Sequence, residues 1–597
     1  MTQPGTAVAQ TTSTAARNTA SDPIEYTVSF PAPHTHYVEV SAVVPTGERP
    51  SVELMMAVWT PGSYLVREFE RNVESVTAAA PDGRTLAVEK SDKNRWHVTS
   101  GGVRSITVRY RVYGHEMSVR TNWIEAGFAL LNGAPTFMTL AGDGRRPHHV
   151  TIVPAQGWKR SMTALDALPG GEHRYRAADY DTLVDSPILI GNPAVHEFEV
   201  DGKRHSLVNE GEAGVFDGVR AAKDLETIVR EYRRMWGALP YDRYVFFNLL
   251  TEASGGLEHK NSSVLMASRW TTRTRRAYLG WLELASHEFV HVWNVKRLRP
   301  LELGPFNYED EVHTRSLWIA EGITDYYADL AVQRAGLSSA EEFFESLAGK
   351  IEELQTTPGR LVQSASLASF DAWIKYYRPD ENSLNTSISY YTKGAVLGFL
   401  LDARIRKATE GARSLDDVMV AAFQRYSGER GYTPAEFRAS AEQVAGVSLA
   451  SFWENGVDGT VELDYSEALE AFGLRFRSFA QSGGRPWIGA ATRNDAGRLV
   501  VSQVRRDSPA QAGGLNVDDE ILAIDEFRVR ADRLENRLEQ YHAGDRISML
   551  IARREQLLRL EITLGVEPPR AWRLEVNPSA PQRAQQWRER WLRPGQG

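Results

Sequence analysis

The chain has no cysteine in 597 residues. That excludes disulfides, thiol nucleophiles and thiolate metal ligands, and is compatible with either redox compartment. No apolar run reaches the roughly 18 residues of a membrane-spanning helix. Residues 1–22 are rich in Thr, Ala, Ser and Gln and lack the apolar stretch of a secretory signal. They are expected to form a disordered tail. As it stands, the sequence predicts a cytoplasmic chain, or a periplasmic or secreted one if a leader has been removed. A basic excess is also missing: 69 Lys and Arg stand against 77 Asp and Glu, a net charge of −8. No nucleic-acid partner is therefore expected. What is present is globular, with 42% hydrophobic and 24% charged residues. The length predicts about four domains at roughly 150 residues each.

The expected fold class is multidomain α+β. Residues 23–200 read as an antiparallel β domain, because 36–43 and 106–113 alternate with period two and Pro81-Asp82-Gly83 marks a turn. From Asp217 the period turns helical, with Val219, Ala222, Leu225, Ile228, Val229 and Tyr232 on one face. Residues 201–464 then read as a small sheet followed by a mostly helical lobe. Residues 465–568 resemble a PDZ domain. There the loop around Ile488-Gly489-Ala490 would offer backbone N–H groups to a peptide carboxylate, and the peptide would add as a strand. In the tail, 569–597, Trp587 and Trp591 stand at i and i+4 and predict a helix docked on the body.

Residues 287–291 spell His-Glu-Phe-Val-His. On a helix, positions i and i+4 share a face, so His287 and His291 can present two imidazoles to one metal ion. A zinc ion would pull the pKa of its water towards about 7, and Glu288, one position round, can take that proton. Leu282, Leu284, Phe289, Val290, Val292 and Trp293 make the segment apolar, and a buried helix carrying two His and a Glu needs a ligand to justify it.

A catalytic zinc needs a third protein ligand and an open fourth position. Residues 317–327, Leu-Trp-Ile-Ala-Glu-Gly-Ile-Thr-Asp-Tyr-Tyr, read as a second buried helix. Glu321 is the sole carboxylate in its first half, 30 residues past the second His (321 − 291). Asp325 lies one turn on, placed to accept the free ring N–H of a ligating His. This arrangement resembles the gluzincin metallopeptidases, thermolysin and the zinc aminopeptidases among them. In those relatives the glutamate follows sooner, at a spacing that falls on Asp310 or Glu311. His313 is a further candidate. Glu321 is preferred because it alone has the apolar helix and a carboxylate partner.

Upstream, Gly255-Gly256-Leu257-Glu258-His259 follows a strand-like run, 246–250. Glycines let a substrate backbone approach closely, and Glu258 offers a carboxylate to a free α-amino group. The segment resembles the Gly-x-Met-Glu-Asn motif of zinc aminopeptidases, with His259 replacing the Asn. Downstream, Tyr390-Tyr391-Thr392-Lys393-Gly394 opens an apolar helix. A phenol there can donate a hydrogen bond to an oxyanion. The resemblance to the corresponding aminopeptidase element implies this role for Tyr391, with Tyr390 as the alternative.

With the Val-Trp-Thr-Pro-Gly-Ser-Tyr segment at 58–64 and the PDZ-like region, these motifs resemble the glycyl aminopeptidase family over most of residues 24–565. The resemblance implies a thermolysin-like zinc peptidase with one Zn²⁺ per chain. It would remove N-terminal Gly, then Ala, from peptides or proteins. Two alternatives stand beside it. One is a zinc endopeptidase in which Glu258 is incidental. The other is a PDZ adaptor with an inactive peptidase fold, against which the intact His287, Glu288, His291 and Glu321 argue.

Overall fold

The computed structural model describes residues 22–477, 484–531, 533–568 and 572–593. The expected N-terminal tail, but for Asp22, lies outside the described residues, as do 569–571 and 594–597 of the C-terminal tail.

Alternation decides the first domain. Strands Tyr37–Pro45 and Ser105–Tyr113 bury every second residue and pair antiparallel in an eight-stranded sheet. Two four-stranded sheets pack with it around one apolar core. One pair departs from the antiparallel expectation: Ile24–Ser29 runs parallel to His148–Val153. No hairpin joins these two strands, so no turn dictates their direction.

The sheet of the peptidase domain has five strands in the order Ala194–Val200, Lys203–Glu210, Arg243–Leu250, Ser262–Ala267, Gly255–Glu258. It begins at Ala194 rather than at 201. Gly255–Glu258 is the edge strand, antiparallel to Ser262–Ala267. Helix Gly218–Trp236 connects the second and third of these strands; helix Arg275–Val290 follows the sheet, then a lobe built from Thr324–Arg334, Ala340–Thr356, Tyr390–Ala408, Leu415–Tyr426 and Pro434–Ala445. Helix Gln582–Leu592 docks on this lobe. Trp591 is fully buried, stacks on Phe472 at 4.0 Å and donates from Nε1 to the Tyr326 hydroxyl at 2.7 Å.

Residues 486–566 form a separate small β unit with its own core. Its strand Arg498–Val504 leads into the contact with the catalytic lobe. There the Asn385 amide donates to the Val504 carbonyl at 2.8 Å and accepts from the Arg506 N–H at 2.7 Å. No helix of the described residues is long and apolar enough to cross a membrane.

Candidate active site

Helix Arg275–Val290 starts where the Thr274 hydroxyl accepts from the Ala277 N–H at 3.3 Å, an N-cap that satisfies an otherwise orphan donor. Its apolar face lies on the five-stranded sheet. Phe289 packs edge-on to Tyr244 at 5.0 Å, and Trp281 donates to the Asn248 side chain at 3.1 Å. On another face the Ser286 hydroxyl donates to the Ala328 carbonyl at 2.9 Å, tying this helix to the next. The α-helix ends at Val290. His291 is its C-cap residue, yet keeps helical φ −60° and ψ −18°, so the shared face of His287 and His291 survives.

Glu321 stands on a segment that differs from the expected α-helix: Trp318–Ile323 is a π-helix, continued by the α-helix Thr324–Arg334. The wider turn is of the kind that accompanies functional sites. Gly322 explains how it packs. A Cβ there would overlap the Gly394 backbone, so the Glu321 segment and the Tyr390–Ala408 helix touch backbone to backbone.

Ligand atoms of His287, His291 and Glu321 all lie within 4.8 Å of one another. Glu321 Oε2 is 3.3 Å from His291 Nε2 and 3.5 Å from His287 Nε2. The other ring nitrogens are held from behind. His287 Nδ1 is 3.5 Å from Asp325, and His291 Nδ1 is 2.7 Å from the Asn294 carbonyl. Lys350 in turn bridges Asp325 at 2.9 Å and Asp329 at 3.2 Å. Such backing fixes ring orientation and raises ligand basicity. Burial alone would raise the Glu321 carboxyl, but the two imidazoles outweigh it and hold it below its ordinary range.

Glu288 and Glu258 complete a second close group with His291, again within 4.8 Å. Glu288 lies against Gly256 of the edge strand, where any Cβ would overlap its carboxyl. Burial pushes Glu288 up to about 7, against the pull of His287 and His291. Glu258 Oε1, Glu288 Oε2 and Glu321 Oε1 are sealed from solvent without a hydrogen-bond partner. Orphaned buried carboxylate oxygens beside two imidazoles form a donor set that suits a metal ion.

The cavity they share measures about 350 Å³ and is also lined by Gly62, Arg120, Gly256, Glu283, Asp325 and Tyr391. Tyr391 stacks at 6.1 Å from the His287 ring. Burial and the Glu321 charge raise its phenol well above its ordinary value, so it remains a donor. Tyr390 differs from its expected place: it is fully buried behind Tyr391, ring to ring at 4.7 Å, and does not line the cavity. Gly255 lies on the edge strand outside that lining. The other ligand candidates stand elsewhere: Glu311 faces His313 at 3.3 Å, and His313 Nδ1 bonds the Phe370 carbonyl at 2.7 Å.

Sequence reasoning missed the N-terminal domain's share of the wall. Gly62 abuts the Glu258 carboxyl, and the Tyr377 hydroxyl reaches the Gly62 carbonyl at 3.5 Å. The only trace in the chain was the 58–64 motif. Asn294, Lys350 and Arg120 carried no signal.

Known families match three parts of the chain. The Peptidase M61 N-terminal domain matches residues 25–192, the M61 glycyl aminopeptidase model matches 280–397 and a PDZ domain matches 486–564. A crystal structure of an aminopeptidase N family protein from Idiomarina loihiensis superposes with TM-score 0.89 at 27% identity, covering 96% of this chain and 100% of that one. An M1 zinc metallopeptidase from Deinococcus radiodurans gives TM-score 0.44 at 13% identity, over 74% of this chain and 95% of that one. Native yeast LTA4 hydrolase gives 0.44 at 12%, over 72% and 67%. A search of curated proteins gave no match. The chain carries matches to both the N-terminal and the catalytic domain of the M61 glycyl aminopeptidases, followed by a PDZ domain, and is a metallo-aminopeptidase.

Proposed function

We propose that the chain removes single N-terminal residues from peptides or proteins, glycine first and alanine second, using one zinc ion held by His287, His291 and Glu321. Two imidazoles and one carboxylate are a common catalytic zinc set. When bound, the metal supplies a Lewis acid that polarises the scissile carbonyl and activates water. The chain's own groups do the rest. Glu288, raised towards neutrality, takes the proton of the attacking water and returns it to the leaving amine. Tyr391 donates to the oxyanion as it forms. Asp325 and the Asn294 carbonyl keep the two rings in position. The edge strand Gly255–Glu258 offers its backbone to the substrate, with Gly256 leaving room for Glu288.

The observation that carries the exopeptidase reading is Glu258. It is 3% exposed, its Oε1 is orphaned, and it lies within 4.8 Å of the Glu288 and His291 ligand atoms. A substrate α-ammonium would complete it. The glycine preference rests on the family match. The test is a panel of aminoacyl-anilides assayed with and without a chelator. Gly- and Ala-anilides should be the best substrates, Leu- and Phe-anilides poor, and N-acetyl-Gly-anilide inert. Efficient cleavage of the acetylated compound would mark an endopeptidase instead.

The PDZ unit offers Ala490–Asp495 as a free sheet edge among the described strands, which suits the addition of a C-terminal peptide. Binding of C-terminal peptides, free or amidated, to the full chain tests that reading.

A further inference from the structure

The metal cavity is lined by six carboxylates, Glu258, Glu283, Glu288, Glu321, Asp325 and Asp329, and by two permanent cations, Lys350 and Arg120. Lys350 is committed to Asp325 and Asp329. Arg120 is not committed. Its Nε is sealed from solvent without a hydrogen-bond partner, and among the described residues its guanidinium forms no ion pair. A guanidinium cannot shed its proton to relieve this, and it carries a fork of donors matched to a carboxylate.

The turn that delivers Arg120 is braced on both sides. Val119 is 1% exposed and packs in the same apolar cluster as Leu257 of the edge strand. The Ser118 and Thr121 hydroxyls meet at 2.6 Å, Thr121 Oγ1 donates to the Glu116 carbonyl at 2.7 Å, and the Asn132 amide donates to the Thr121 carbonyl at 2.7 Å. The Arg120 N–H itself donates to Ser118 Oγ at 3.2 Å. A braced turn of the first domain thus sets an unpaired cation beside the edge strand, in the cavity where Glu258 carries an orphaned carboxylate oxygen.

We propose that Arg120 determines specificity for the downstream end of the substrate. It binds a carboxylate, and the preferred substrates are di- and tripeptides whose C-terminal carboxylate reaches it. This rests on the reading that Glu258 holds the α-ammonium. The two ends of a short peptide are separated by about 3.3–3.6 Å per residue, so both fall within one cavity of about 350 Å³.

The experiment compares kcat/KM for Gly-Ala, Gly-Ala-Ala and a Gly-Ala-rich octapeptide, each as free acid and C-terminal amide. The wild-type chain should favour the short free acids over their amides by roughly 10- to 100-fold, the range for a charge-assisted hydrogen bond. The ratio should fall towards one for the octapeptide. In Arg120→Ala it should fall to about one at every length, with zinc content unchanged, and Arg120→Lys should lie between. If Gly-Asp-Ala amide outperforms Gly-Ala-Ala amide only when Arg120 is present, the carboxylate comes from a side chain, which overturns its assignment to the C-terminus. A wild-type acid-to-amide ratio near one at every length, or a ratio unchanged in Arg120→Ala, overturns the proposal. Gly-anilide, which has no carboxylate, is read in parallel with the wild-type chain. Its failure to react would sink the aminopeptidase reading itself, whereas its cleavage beside a flat acid-to-amide ratio would sink only the role of Arg120.

Discussion

Two cavities meet at Glu258 and Gly62, and they hold buried charge differently. The larger, about 840 Å³, lies between the first domain and the peptidase domain. Among its charges, Asp185 and Arg297 are paired. Asp185 accepts from Lys296 at 2.8 Å, from the Lys260 N–H at 2.7 Å, and faces His259 Nδ1 at 3.1 Å. Arg297 is spent on the Pro240, Lys260 and Val292 carbonyls. The smaller cavity holds the convergent His and Glu side chains and leaves three carboxylate oxygens orphaned. A buried charge is tolerated when it is paired and otherwise needs a ligand to complete it. The metal site proposed above therefore lies in the smaller space, where the orphaned carboxylates converge with two imidazoles.

The sharpest way to break this contrast is to remove a ligand. Glu321→Ala should lose metal and activity together, whereas Glu311→Ala, whose carboxylate faces His313, should keep both. Elemental analysis decides; metal loss in the Glu311 variant would refute the ligand assignment. Next comes Glu288→Gln, which preserves shape but removes the base. Metal should stay while kcat falls by roughly 10²–10⁴-fold, and near-normal turnover would remove Glu288 from that role.

In the larger cavity the expected effect is on stability. Lys296→Met strands Asp185 as an uncompensated buried charge, and breaking such a pair is destabilising by about 3–5 kcal/mol. Denaturant unfolding measures it, and zinc content should not change. The same pair predicts a pH dependence. Burial alone would raise Asp185, but Lys296 and His259 hold its carboxyl well below its ordinary 3.8. A group depressed on folding contributes stability that is fully present above its unfolded value and lost as pH falls below it. The wild-type chain should therefore lose stability below about pH 4, and Asp185→Asn should flatten that part of the acid limb. A limb of unchanged steepness would show that the pair does not matter.

The smallest expected change belongs to the residue shared by both cavities. Glu258→Ala should reduce kcat/KM on free-amine substrates by about 2–5 kcal/mol, as for one side of a desolvated charge pair, with the metal still bound. Equal loss on N-blocked and free peptides would contradict amine binding.

The cluster of His287, Glu288, His291 and Glu321 was legible because its signals are local. His287, Glu288 and His291 follow from the helical period, and Glu321 from a lone carboxylate in an apolar run with Asp325 one turn on. The β alternation of the first domain and the helix of the tail were legible for the same reason. The π-helix at Trp318–Ile323 was not, because its composition matches an α-helix and only the backbone contact between Gly322 and Gly394 distinguishes its setting. Tyr390 and Tyr391 are neighbours with the same chemistry, so which of them faces the cavity depends on how their helix is rotated against the π-helix.

By itself, then, the sequence determined which His and Glu side chains converge, and hence the proposed metal site, and the order of the domains, since each is written in short-range spacing. Tertiary structure alone decided the cavity's walls. Gly62 and Arg120 come from the first domain, and Lys350 from a later helix. They reach the proposed metal ligands only because the domains pack against the edge strand and the helical lobe closes over it. Contacts between residues so distant along the chain leave no periodicity to read. They are selected by the burial of apolar surface across the whole molecule, and the unpaired charges they bring together acquire meaning only once water has been excluded around them.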